Sequence, residues 1–128
     1  MKVKVVFFEN NFLEAIGAGI YEISILRSDG VCCSLYKGES VHVLKRCGQH
    51  LFRLKNNPGY LGFDEKTIND DSLTLTFKML HKEHDSIERK KIEKLEIKNQ
   101  TPLSQSGRSD FKVGEKSRIE ALQNFLYS

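Results

Sequence analysis

The chain has no long apolar run. The longest near its N-terminus is the four residues Val5 to Phe8, against the ~18 needed to cross a bilayer. That stretch is also too short for the core of a secretory signal. Disulfide spacing is missing as well: three cysteines cannot form a paired framework, and without an export signal they are expected to be reduced thiols in an intracellular, cytoplasmic protein. No internal repeat and no linker long enough to divide domains is evident. Net charge is small, +3 on 128 residues, so charge alone does not establish a nucleic-acid partner. The composition, 39% hydrophobic and 29% charged, excludes collagenous, low-complexity and fully disordered chains. One domain over 1–128 is expected, large enough for a core without staples.

The charge distribution says more than the total. From Lys37 to Lys55 five cations (Lys37, Lys45, Arg46, Arg53, Lys55) stand against Glu39 alone, and four acids stand against one lysine between Asp64 and Asp71. A basic segment beside an acidic loop suggests a side preferred by an anion; a solvated helix face is the plainer reading.

Residues 2–8 are β-prone, and Asn10-Asn11 interrupts them. Residues 12–18 are ambiguous, ending in Gly-Ala-Gly. Residues 20–26 alternate, Arg27-Ser28-Asp29-Gly30 has turn chemistry, and 31–36 resume a strand, which makes a hairpin. A turn centred between Ser28 and Asp29 would set Tyr21 directly opposite Tyr36, whereas a turn on Asp29-Gly30 would break that pairing. From Ser40, a plausible N-cap, Leu44, Cys47, Leu51 and Leu54 make one helical stripe that Asn56-Asn57-Pro58-Gly59 stops. Residues 57–72 read as loop with one helical turn, 73–79 as a strand, 84–98 as a helix, 104–109 as loop and 115–126 as a short closing helix.

On a wheel of about 100° per residue, Arg46, His50 and Arg53 fall within about 60° of one another. Arg46 and His50 are one turn apart and reach one point, just after Tyr36-Lys37-Gly38, where the glycine permits close approach. Two phenols, a guanidinium and an imidazole suit a phosphodiester: the arginine fork pairs with phosphate oxygens, and Tyr or His relays a proton. Zinc at Cys47-x-x-His50 with Cys32, Cys33 or His42 lacks paired Cys-x-x-Cys spacing, and Cys47 on the apolar stripe reads as a buried thiol. His81 and His84 read as surface residues.

Gly19-Ile20-Tyr21, then Leu35-Tyr36-Lys37-Gly38-Glu39-Ser40, then Lys45-Arg46 with Gln49-His50 resembles the GIY-YIG nuclease superfamily in order and spacing. Lys37 replaces the apolar middle residue of the second triplet. The resemblance spans residues 19–105. It implies an α+β domain whose small antiparallel β-sheet is flanked by helices, a β-β-α-β-α core to which the chain adds an N-terminal strand. It implies a metal-dependent DNA endonuclease using Mg²⁺ (or Mn²⁺). Catalytic roles then fall to Tyr21, Tyr36, Arg46, His50 and Glu93. Tyr21 or Tyr36 would position or deprotonate the attacking water, Arg46 would stabilise phosphoryl charge, and His50 would position groups or shuttle a proton. Glu93, in Ile92–Ile97 before Thr101-Pro102-Leu103, would be the metal ligand, with Glu88 its rival. Lys37, Lys45 and Arg53 would bind substrate. The family's asparagine is absent, and Ser104 or Gln105 stands near its place. A catalytically silent module binding DNA or a protein is the alternative, and no DNA-reading module is evident. Specificity would come from the loops at 55–72 and 104–114, from a homodimer or from a partner protein.

Overall fold

The structure, a computed structural model, describes residues 1–105 and 112–128. Its elements are β1 (Lys4–Phe7), α1 (Phe12–Ala15), β2 (Gly19–Leu26), β3 (Cys32–Ser40) and α2 (Val43–Asn56), then a 3-10 turn (Pro58–Leu61), α3 (Glu65–Ile68), β4 (Thr74–Lys82), α4 (Ser86–Asn99) and α5 (Glu115–Leu126). The fold is α+β, with a four-stranded sheet in the order β1-β4-β2-β3 flanked by helices. No helix among the described residues is long and apolar enough to cross a membrane.

The sheet is mixed, which corrects the expected all-antiparallel arrangement. β1 runs parallel to β4, with Val5 beside Leu75 and Phe7 beside Phe77, whereas β2 pairs antiparallel with both β3 and β4. Parallel partners need a long crossover, and here everything from α1 through α3 separates the two strands.

The hairpin register also differs from the direct Tyr21–Tyr36 pairing. The turn is a longer loop, closed by the Arg27 N–H donating to the Val31 carbonyl (2.9 Å), with Gly30 at φ 89°. It aligns Leu26 with Cys32; a shift between Ile23 and Ser24 then moves the register, so that Tyr21 faces Gly38 and Tyr36 faces Ile23. One unpaired residue, Leu35, produces that shift, the re-aiming effect of a β-bulge. Tyr21 and Tyr36 thereby become diagonal neighbours on one face, their rings stacked with centroids 6.2 Å apart.

Alternation gives the β2–β3 pair two chemically different faces. Tyr21, Ile23, Ile25 and Tyr36 join the apolar core with Cys47 and Leu54 of α2. Glu22, Lys37 and Glu39 point the other way, under α4, which buries Arg89, Glu93 and Ile97 and leaves Ile87 and Leu95 exposed. Glu88 lies on that exposed side with Ile87 and Leu95 and pairs with Lys91 at 3.3 Å. The ionic layer is closely paired. Arg89 Nε donates to Glu39 at 2.5 Å and its Nη1 to the His84 carbonyl at 3.0 Å. The Lys37 ammonium donates to the Glu96 and Gln100 carbonyls at 3.0 and 3.1 Å, where the helix C-terminus favours a cation.

The stretch 57–72 holds two short helical elements rather than one turn. Asp64 caps α3 by accepting from the Thr67 N–H at 2.8 Å. α5 closes against the 3-10 turn, where Gly62 adopts φ 88° and a β-carbon would run into the Arg118 carbonyl. α4 and α5 match their expected spans closely, while part of the expected 104–109 loop lies outside the described residues.

Removing one partner of a buried ion pair leaves the other charge uncompensated, at a cost of about 3–5 kcal/mol. Arg89→Ala should therefore lower unfolding stability by about that much in a urea titration, whereas Glu88→Ala, on the exposed side, should stay within about 0.5 kcal/mol of the parent.

Candidate functional site

α2 starts later than expected. Its N-cap position is His42, and Ser40 instead ends β3 and accepts the His42 N–H through its hydroxyl at 3.0 Å. The buried stripe is Val43, Cys47, His50 and Leu54, with Leu44 and Leu51 only partly covered. His50 is thus fully buried, which a wheel scored on apolar residues alone places with the polar side. The reason is that both ring nitrogens are satisfied: Nε2 lies 2.6 Å from the Tyr21 hydroxyl and Nδ1 lies 2.7 Å from the Tyr60 hydroxyl. Burying an imidazole without such partners would be costly.

Four rings meet here. Tyr36 packs its ring 4.9 Å from that of His50, and the Tyr60 ring stands edge-on to His50 at 5.7 Å. Gly38 is required opposite Tyr21, because the phenol lies across its α-carbon and a β-carbon would meet the Tyr21 hydroxyl. Lys112 reaches in from the segment before α5, its ammonium 3.6 Å from the Tyr60 ring centroid and 5.4 Å from that of Tyr36. Tyr60 and Lys112 were not singled out from the sequence. The available signal was a tyrosine just past a helix stop, since a buried phenol needs a partner for its hydroxyl.

The electrostatics follow from burial. Burial pushes His50 down from 6.5 to about 3, with Arg46, Lys112 and Arg53 acting in the same direction, so the imidazole is neutral. Burial, reinforced by Tyr36 and Cys47, pushes the Tyr21 phenol well above its ordinary value, while Arg46 pulls it down. Burial opposes the Arg46 charge, but the phenols of Tyr21, Tyr36 and Tyr60 outweigh it and hold the guanidinium above its usual range. Burial also lowers Lys112, assisted by Arg118 and Arg46 and opposed by Tyr60. A neutral imidazole donates through one nitrogen and accepts through the other. Tyr60, His50 and Tyr21 therefore form a directional chain of phenol, imidazole and phenol.

The expected site residues separate into groups. Tyr21, Tyr36, Arg46 and His50 come together. Arg53 stands beside them, its guanidinium 5.8 Å from the Tyr60 ring centroid. Lys45 lies on the outer surface of α2, near Ile16 and Leu44. Lys37 faces away: it is 1% exposed and its ammonium also lies 3.7 Å from Glu96 and 3.9 Å from Glu22. That burial takes it out of reach of a phosphate on the Tyr36 side and removes one cation from the basic segment. Glu93 is buried on the sheet-facing stripe of α4, between Arg89 and Ile97. Among the described residues no group of three or more His, Cys, Asp and Glu side chains could hold a metal ion. Glu93 offers a single hard carboxylate, the donor class magnesium prefers, but it is buried in the layer that holds Lys37, on the sheet face opposite Tyr21 and Tyr36, and does not fit an ion beside those tyrosines. Burial pushes the Cys47 thiol well up, leaving it protonated and inert.

Of the two residues near the family asparagine's place, Gln105 docks on the sheet. Its Oε1 accepts the Lys37 N–H at 2.9 Å and its Nε2 donates to the Lys37 carbonyl at 2.7 Å. The Ser104 hydroxyl is buried without a hydrogen-bond partner among the described residues.

The buried His50 makes stability depend on pH. Below about 6.5 the unfolded chain takes up a proton that the folded imidazole refuses, so acidification favours unfolding. Wild type should lose about 1.4 kcal/mol per pH unit relative to His50→Gln between about pH 6.5 and 4.5. Urea unfolding midpoints of the two proteins across that range measure the difference, and parallel curves would refute a buried neutral imidazole.

Comparison of the chain with protein-family models, with curated proteins and with solved structures finds no match in any of the three.

Proposed function

We propose that this chain is a metal-dependent DNA endonuclease that hydrolyses phosphodiester bonds. The observation that carries the reading is the buried Tyr21–His50–Tyr60 chain with Tyr36 stacked against it and Arg46 alongside. Its residues are those on which the resemblance to GIY-YIG nucleases rests, joined by Tyr60.

The chemistry starts from the attacking water. Tyr21 orients the water, its own O–H directed to His50 Nε2 and the Nδ1–H of that ring held by Tyr60. Burial disfavours both the phenolate and the imidazolium, so the water's proton leaves to a phosphate oxygen rather than to His50. Tyr36 holds the water or a phosphate oxygen beside them. Arg46 keeps its charge throughout and pairs with the phosphoryl oxygens as negative charge builds, a stabilisation typically worth about 3 kcal/mol. Glu93, the residue to which the resemblance assigns Mg²⁺ or Mn²⁺, is buried between α4 and the sheet face opposite Tyr21 and Tyr36, so no step is routed through a metal at that residue. Specificity would be supplied by loops, by a second copy or by a partner protein. Of the loop at 104–114, residues 106–111 lie outside the described residues.

A second reading, a silent module that binds DNA or a protein, is favoured by one observation. Tyr21 is 1% exposed and His50 is fully buried, so water must reach the phenol from the Arg46 side or not at all.

Plasmid cleavage with Mg²⁺ or Mn²⁺ tests the proposal. Wild type should nick or linearise supercoiled DNA, and Arg46→Ala and Tyr21→Phe should each lose about 100-fold or more. Salt-sensitive DNA binding without cleavage in wild type would establish the silent reading, and cleavage unaffected by both substitutions would overturn the assigned residues.

A further inference from the structure

On the outer side of Tyr60 lies an open recess of about 490 Å³, lined by Phe52, Arg53, Asn56, Asn57, Tyr60 and Lys112. That volume falls within the range of about 300–1,000 Å³ of sites that take one small molecule. Phe52 is the exceptional member, 71% exposed on a helix whose core stripe does not include it. Its phenyl ring does little for the fold and is free to stack at the recess wall.

We propose that this recess receives one unpaired nucleobase of the DNA substrate, stacked on Phe52, while the adjoining backbone crosses the tyrosine cluster. The inference rests on the nuclease reading and narrows its substrate to DNA with an unpaired base beside the scissile phosphate.

The lining chemistry is that of a nucleotide site. The exposed Phe52 ring provides stacking surface, two side-chain amides can pair with a base edge, and two cations stand ready for the backbone. Among the described residues no carboxylate lines it, so an anionic strand is favoured over a protein surface of mixed charge. Both cations lie by the Tyr60 ring, Lys112 at 3.6 Å and Arg53 at 5.8 Å from its centroid. The recess and the cleavage centre share Tyr60, whose ring forms the wall and whose hydroxyl meets His50 at 2.7 Å. A base seated there places its own strand next to Tyr36 and Arg46. In an intact duplex the base must first be extruded at a cost of about a few kcal/mol, which is smallest where it is already unpaired.

The test uses a duplex with one extrahelical 2-aminopurine and the same duplex fully paired, both in EDTA so that neither is cut. Wild type should bind the extrahelical probe about tenfold more tightly than the paired one, in line with base stacking on an aromatic side chain, and should quench its fluorescence. Phe52→Ala should lose both the preference and the quenching, and Phe52→Tyr should keep them. Both variants should match wild type in melting temperature and in affinity for the paired duplex. Salt-sensitive binding of both probes without a Phe52-dependent preference would overturn the recess and leave the nuclease reading standing. Absence of any salt-sensitive binding would overturn both. A dimer that depends on Phe52, seen by sedimentation without a probe preference, would assign the ring to self-association and overturn the base site.

Discussion

An imidazole with no exposure to water holds this site together. His50 stays buried because β2 brings one phenol to Nε2 and the 3-10 turn after α2 brings another to Nδ1. A strand, a helix and the turn that follows that helix are thereby tied through one ring. Losing either phenol would leave a buried polar nitrogen without its partner, a penalty of about 1–3 kcal/mol. The same two bonds orient the ring, while burial keeps the imidazole neutral. Structure and chemistry are not separable at this position.

The second organising constraint is alternation along β2 and β3. Adjacent residues serve different layers: Tyr21 and Tyr36 face the histidine, while Glu22 and Lys37 enter a nearly dry ionic layer beneath α4. That layer explains the low apolar content of α4, whose buried stripe includes Arg89 and Glu93. Charges can be buried there because each is matched, Arg89 with Glu39 and Lys37 with Glu22, Glu96 and two helix-terminal carbonyls. Paired charges of this kind specify position more than they add stability.

The hairpin, the strand at β4 and the helices at α4 and α5 were legible because their signals are local: alternation, turn chemistry, helix formers without Gly or Pro. The convergence of Tyr21, Tyr36, Arg46 and His50 was legible too, through spacing. What was illegible depended on contacts between distant segments. The parallel pairing of β1 cannot be read from a four-residue strand whose partner lies beyond a long crossover. The Tyr21–Gly38 register depends on a five-residue turn and one bulged leucine, and turn chemistry alone favoured two other arrangements. The burial of His50 escaped a wheel that counts apolar residues, since its warrant is two remote hydroxyls. Lys37 read as a cation among cations, yet its partners sit on a helix some sixty residues later. Gln105 could be placed near the family asparagine but not assigned a bond, because its acceptor and donor belong to the backbone of β3.

That last contact has a wider effect. β3 is one of the two outer strands of the sheet, and an outer strand normally offers its unpaired amides to any passing chain. Here Gln105 imitates a neighbouring backbone at Lys37, and Leu103 and Ser104 donate their N–H groups to the carbonyls of Ser34 and Leu35 at 2.9 and 3.0 Å. A few residues after α4 thus seal the rim beside Tyr36. Edge-to-edge polymerisation through this strand is blocked, and a visiting peptide cannot extend the sheet there without first prying the chain's own seal away.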